Sequence, residues 1–181
     1  MTGFRALAGK IAIAVHNIDG SLVEDRAMIS EQTCSGGEEL GPCVGQPEGT
    51  VLEGVWKGLW RSDFAELAQP EEIGSGFESL VASAEAGKSD GFGAGTTVLY
   101  ALASSRRGIF GGGDAYYAIL TGILPGAGGS ERRIAVYQFT FDGERWRLYG
   151  VIEAGALYEE WLSAGCGDCY EHWELAPTIV R

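Results

Sequence analysis

Histidine is scarce in this chain, at two residues in 181, and methionine and proline are nearly as rare at two and five. With only His16 and His172 present, any imidazole acid–base pair or Ser-His-Asp arrangement must use one of them. Neither stands in a local motif. His16 precedes an Asn-Ile-Asp-Gly turn, and His172 lies between Glu171 and Trp173 in the tail, so packing or surface roles are expected for both. Basic residues are also few: 13 Lys plus Arg stand against 25 Asp plus Glu, a net charge of −12. A field of that sign repels nucleic acid and anionic membrane and attracts cations or basic protein surfaces, so neither a nucleic-acid nor a membrane partner is expected.

Long apolar runs are missing as well. The stretch Ala6–Val15 is interrupted by Gly9 and Lys10 and is far below the length of a bilayer span. It reads as structure, and the protein is expected in the cytoplasm. With 45% hydrophobic and 21% charged residues over 181 positions, the composition is that of one globular domain, residues 1–181, with a core of its own.

Glycine is plentiful, at 29 residues, but its runs do not bind phosphate by any known pattern. Neither Gly91–Gly95 (GFGAG) nor Gly111–Asp114 (GGGD) is followed by Lys-Ser/Thr, and each leads toward a strand rather than a helix amino end. Both read as connections, and no cofactor is expected. The four cysteines fall in two pairs, Cys34 with Cys43 and Cys166 with Cys169. Two thiolate pairs can make a tetrahedral zinc site, but the spacing of the first pair is loose for a zinc knuckle. Cys166-Gly-Asp-Cys169 follows a helix-like segment, which is the wrong context for a thioredoxin-type motif. Free thiols or local disulfides in two surface loops are therefore expected, and no metal site.

Periodicity supplies the architecture. Ile11, Ile13 and Val15 alternate with Ala12 and Ala14, which predicts a strand over Lys10–His16, then a turn at 17–20 and a second short strand over Leu22–Ile29. Cys34–Thr50 reads as loop. Over 52–68 the apolar residues Leu52, Val55, Trp56, Leu59, Trp60 and Leu67 fit a helical stripe, although Gly54 and Gly58 each disfavour helix by about 1 kcal/mol relative to Ala. Helix is expected there, at least from Trp56 onward. The strand alternative leads to a small β-barrel whose first strand bears Trp56 and Trp60. Ser75-Gly76-Phe77-Glu78 has the form of a capping box opening a second helix that ends near Gly87.

From Thr96 onward the chain reads as an antiparallel meander: Thr96–Ala103, Tyr116–Leu124, then RRIAVYQFTF over 132–141 and ERWRLYGVIE over 144–153. Asp142-Gly143 between the last two is a strong hairpin signal. Either a two-residue turn or a four-residue loop from Asp142 to Arg145 keeps Tyr137, Phe139, Trp146 and Leu148 on one face, because side chains alternate with period two. Ile134, Val136, Tyr149 and Val151 fall on the other. The earlier meander strands have no polar face, so both sides of the sheet must be covered. Helices are expected on one side and a second copy of the protein, in a homodimer, on the other. A short helix near Leu157–Leu162 and an irregular tail complete the chain.

The fold class expected is therefore α+β, a curved antiparallel meander with helices packed on one face. The order of two helices and four strands over residues 52 to 153 resembles the cone-shaped nuclear-transport-factor-2-like fold. That resemblance implies either a non-catalytic dimer or a small isomerase or dehydratase, and with no shared motif it carries no functional residues over. From the residues themselves, Trp56, Trp60, Tyr137 and Trp146 are the candidates to line a pocket, with Phe77 and Phe139 beside them. The leading expectation is a non-enzymatic binding module for a small apolar ligand or a basic protein partner. The alternative is a small cone-type lyase or isomerase using a Tyr or a buried carboxylate, with Asp63, Glu66, Asp114 and Glu153 as the acids in question.

Overall fold

The computed structural model describes residues 2–37, 43–61, 64–68, 70–85, 96–106, 113–126, 129–152 and 172–175. The first element is a helix, α1 (Thr2–His16), not the strand that the alternation at 11–15 predicts. Over a window of fifteen residues the period of 3.6 prevails: Phe4, Leu7, Ala8, Ile11, Ala12 and Val15 form one buried stripe. Ile13, which the strand reading sets beside Ile11 and Val15, is 57% exposed.

The end of α1 is a Schellman motif. The Asp19 N–H donates to the Ala14 carbonyl at 2.8 Å and the Ile18 N–H to that of Val15 at 3.2 Å, with Ile18 in the left-handed position at φ 53°. A β-branched residue there is strained, but Ile18 packs against the core, which a glycine cannot do. The turn at 17–20 thus joins two helices. The segment predicted as a second strand is α2 (Ser21–Arg26), followed by a parallel bridge of Ala27 to Leu148 and by β1 (Ser30–Thr33).

Residues 52–68 are likewise corrected, from helix to strand: β2 (Val51–Arg61) and β3 (Phe64–Ala68) form an antiparallel pair. Gly54 takes φ +78°, open to glycine and not to a helix interior. Helix α3 (Pro70–Glu85) begins with a proline and two acids, which suit the first turn. The expected capping box lies inside it. Ser75 donates to the Glu72 carbonyl, and Glu78 reaches across to accept the Gly20 N–H at 3.0 Å.

The meander is as predicted: β4 (Val98–Ser105), β5 (Ala115–Gly126), β6 (Gly129–Phe141) and β7 (Trp146–Ile152) pair in succession, and β8 (His172–Leu175) adds to β4. The strand order is β1-β2-β7-β6-β5-β4-β8, with β3 on β2 and with β2 parallel to β7 through Leu59 and Val151. This is an open α+β sheet and not the barrel alternative. The likeness drawn over residues 52–153 loses its first helix to β2 and β3 and keeps its meander.

The connection from β6 to β7 is the four-residue form. Asp142 N–H donates to the Arg145 carbonyl, while the Asp142 carboxylate accepts the N–H groups of Glu144 (2.9 Å) and Arg145 (2.8 Å) and the Arg147 guanidinium (2.6 Å). Phe139 then pairs with Leu148 but Gln138 with Gly150, so Tyr149 is an extra residue, a β-bulge. The bulge returns Val151 to the side of Tyr137 and Leu148, whereas strict alternation predicts the opposite side.

Stripes from α1, α2 and α3 cover that side, with Phe4, Val23, Ile73 and Phe77 meeting Leu102, Leu120, Tyr137 and Leu148. The other side holds Ala101, Ala103, Tyr117, Ile119, Ile134 and Val136, all buried within one chain. Shielding of both faces, as expected, therefore needs no second copy. Among the described residues no helix is long and apolar enough to cross a membrane.

Two glycines give opposite expectations. A Cβ at Gly20 would lie 2.2 Å from the Gly74 carbonyl oxygen, so Gly20→Ala should destabilise by about 1–3 kcal/mol in urea unfolding. Gly9, inside α1 with nothing within 4 Å, should instead stabilise by about 0.5–1 kcal/mol when changed to Ala. The Asp142 carboxylate is held well below the usual range, first by the Arg145 N–H and then by the Arg147 guanidinium and the Glu144 N–H. A depressed folded-state pKa adds stability above the unfolded value, and that stability is lost as pH falls through the folded one. The stability gap between the parent and Asp142→Asn should accordingly be full at neutral pH and close in strong acid; a gap independent of pH refutes the assignment.

Candidate functional site

Two regions bear on function, the aromatic interior and a groove between α2 and α3. In the interior Phe4 of α1 is the hub, with its ring centroid 5.5 Å from Phe139, 5.0 Å from Trp146 and 5.6 Å from Tyr116. Trp146 continues outward, 4.7 Å from Tyr116 and 5.1 Å from Phe141, the latter half-exposed at the sheet end. Tyr137 sits farther along the same core in edge contact with Phe77 at 6.4 Å. Of the four predicted pocket residues, Tyr137 belongs to the core cluster that also holds Phe4 and Phe139, and Trp146 packs against that cluster. Trp56 and Trp60 lie on β2, opposite Ala68 and Ala65, and their side chains are outside the described residues.

These rings meet edge to face or tilted, the arrangement in which aromatic quadrupoles attract. Between Phe4, Tyr116, Phe139 and Trp146 the contacts are those of a filled core. Phe4 is the member that sequence reasoning missed; the helical stripe of α1, read over its whole length, is the signal that finds it.

The groove is of another kind. Ser21, Glu24 and Asp25 of α2 and Pro70, Glu71 and Ile73 of α3 line it with Ile29, around a volume of about 660 Å³ open to solvent. Its shape is set by the close approach of the two helices at Gly20 and Gly74, and by the hydrogen bond from Gly20 to Glu78. Asp19 accepts both the N–H and the hydroxyl of Ser21, and these bonds, the hydroxyl's foremost, lower its pKa. Ile73 is buried, while Ile29, Glu24, Asp25 and Glu71 are exposed. Asp25 is partly neutralised by Arg26 at 2.8 Å and Arg145 at 3.6 Å; among the described residues neither Glu24 nor Glu71 has an ion pair. The groove can receive a cationic group at its rim and an aliphatic stem against the exposed Ile29 and Pro70.

The remaining candidates are dispersed. His16 is exposed at the end of α1, and Asp114 is exposed before β5, where its carbonyl lies 3.5 Å from the Thr140 hydroxyl. The side chains of His172 and Glu66 fall outside the described residues, as do Asp63, Glu153, Cys166, Cys169 and the helix expected near 157–162. Cys34 and Cys43 form a disulfide, so they supply no thiolates for the four-cysteine zinc reading. Among the described residues no cluster of three or more His, Cys, Asp or Glu is placed to hold a metal ion.

Burial pushes the Tyr137 phenol above its ordinary range, because the anion has no water to solvate it. A raised folded-state pKa contributes stability that is intact below the unfolded value near 10 and is lost as pH climbs beyond it. In an ultraviolet titration Tyr137 should ionise only with unfolding, and Tyr137→Phe should remove that late phenolate; a phenolate that forms in the folded protein and disappears in Tyr137→Phe contradicts this burial. No protein family, curated protein or solved structure matches the chain.

Proposed function

We propose that this chain is a non-enzymatic binding module and that the α2–α3 groove takes a basic segment of a protein partner. The groove carries the reading: three carboxylates, Glu24, Asp25 and Glu71, stand around an exposed apolar strip of Ile29 and Pro70. The net charge of −12 extends the same sign over the molecule and favours encounter with a cationic surface. A Lys or Arg side chain suits such a rim because its stem can lie on apolar surface while its head remains at the carboxylates.

The ring contacts of Phe4 with Tyr116, Phe139 and Trp146, and of Tyr137 with Phe77, support the protein-binding form of the proposal over a small apolar ligand held among these residues. The isomerase or lyase alternative asks for a carboxylate paired with Tyr or His in a cavity. The groove lining contains neither Tyr nor His, and Tyr137 packs on Phe77 in the core. A homodimer has no remaining argument from the apolar sheet face, which one chain buries by itself.

Binding of a labelled oligolysine peptide to the full chain, measured by anisotropy at several salt concentrations, tests this reading. The double variant Glu24→Gln/Glu71→Gln should bind about tenfold more weakly and with a shallower salt dependence, while Asp114→Asn should leave binding unchanged. Equal affinity of parent and double variant refutes the groove as the site.

A further inference from the structure

The connection from β1 to β2 is closed by a bond between Cys34 and Cys43, and both residues are almost wholly buried, at 1% and 0% exposure. Around them the backbone is tied on both sides. The Cys34 N–H donates to Thr50, the Gly49 N–H donates to Cys34 and the Gln46 N–H donates to Cys43, at 2.8, 2.9 and 3.0 Å. The arms of the connection also touch: a Cβ at Gly36 would meet the Glu48 side chain at 3.1 Å. We infer that Cys34–Cys43 is a structural cross-link closed before this connection packs, so that the chain folds where a thiol–disulfide oxidant can reach it.

The argument turns on access. Closing the bond requires one cysteine thiolate to attack the disulfide of an oxidant, either glutathione disulfide or an oxidised protein dithiol, giving a mixed disulfide and one released thiolate. The second cysteine then attacks the first cysteine's sulfur and expels the other half of the oxidant. One S–S bond forms in the chain and one breaks in the oxidant, which takes up two electrons and the two thiol protons. In the folded chain neither Cys34 nor Cys43 offers surface to so large a reagent. The exchange belongs to the open chain, and the compartment of folding must supply the oxidant. This replaces the cytoplasmic expectation, since mesophilic cytosol keeps such pairs reduced. Burial likewise assigns the pair to stability rather than to reactivity.

The test compares full-length chain exported into an oxidising compartment behind an added leader with the same chain retained in the cytosol of the same host. Each preparation is unfolded in iodoacetamide and cut with trypsin, which releases Cys34 and Cys43 together in peptide 27–57, apart from Cys166 and Cys169 in the segment after Arg147. The exported protein should yield that peptide unalkylated and lighter by two hydrogens, and the retained protein should yield it alkylated at both sites. Reduced parent and the Cys34→Ala/Cys43→Ala variant should both show an unfolding constant raised on the order of a hundredfold; loss of both to aggregation is the same result in stronger form. The inference is overturned if reduced and oxidised protein are equally stable, or if folded, reduced protein closes the bond in glutathione disulfide as fast as the unfolded chain.

Discussion

The seating of α1 on the sheet is the interaction on which the rest depends. A fifteen-residue segment containing Gly3, Gly9 and the β-branched Ile11, Ile13 and Val15 has little helical tendency of its own, and an isolated helix of that length is marginal in water. Its helicity comes from burying one stripe, with Phe4 at the end that touches Phe139, Trp146 and Tyr116. Each large apolar side chain buried there contributes roughly 1.5–3 kcal/mol. The sheet in turn needs the helix, because Leu102, Leu120 and Phe139 would otherwise face water.

That seating also fixes the groove. Ending α1 in a left-handed residue reverses the chain within four residues, and the reversal brings Gly20 against Gly74. Ile18 keeps the strained position because its side chain is anchored in the core that α1 creates. Beside this contact Ser21, Glu24 and Asp25 of α2 come to face Pro70, Glu71 and Ile73 of α3. The acidic groove is a geometric consequence of how one helix stops.

The parts legible in the sequence are those decided locally. Asp142 collects two backbone N–H groups and a guanidinium within five residues of itself, so the β6–β7 hairpin could be read from composition and spacing. The strands of the meander are eight to thirteen residues long except β7 at seven, enough for their apolar pattern to be unambiguous. The failures are nonlocal. Trp56 and Trp60 stand four apart, a spacing that helix and strand both accommodate, and pairing with β3 and β7 decides between them. At 11–15 a five-residue alternation was too short a window against a stripe of fifteen. The bulge at Tyr149 has no local signature, and it alone moves Val151 across the sheet. The groove was illegible for the same reason: its two walls are separated by some fifty residues and meet through a glycine pair whose meaning appears only when α2 and α3 are both known to be helices.

Charge acts here on two scales, and the shorter one should govern recognition. At physiological ionic strength fields decay over about 8 Å, so most of the −12 total is screened from any single binding event and serves mainly solubility and encounter. What a docked cation feels is the rim itself. There Asp25 already has Arg26 and Arg145 for company, which leaves Glu24 and Glu71, one from each wall, as the groups able to discriminate. Exposed pairs of this sort are individually weak, near 1 kcal/mol or less. Affinity must then come from the apolar strip between them, and the carboxylates choose which side chain is allowed to cover it.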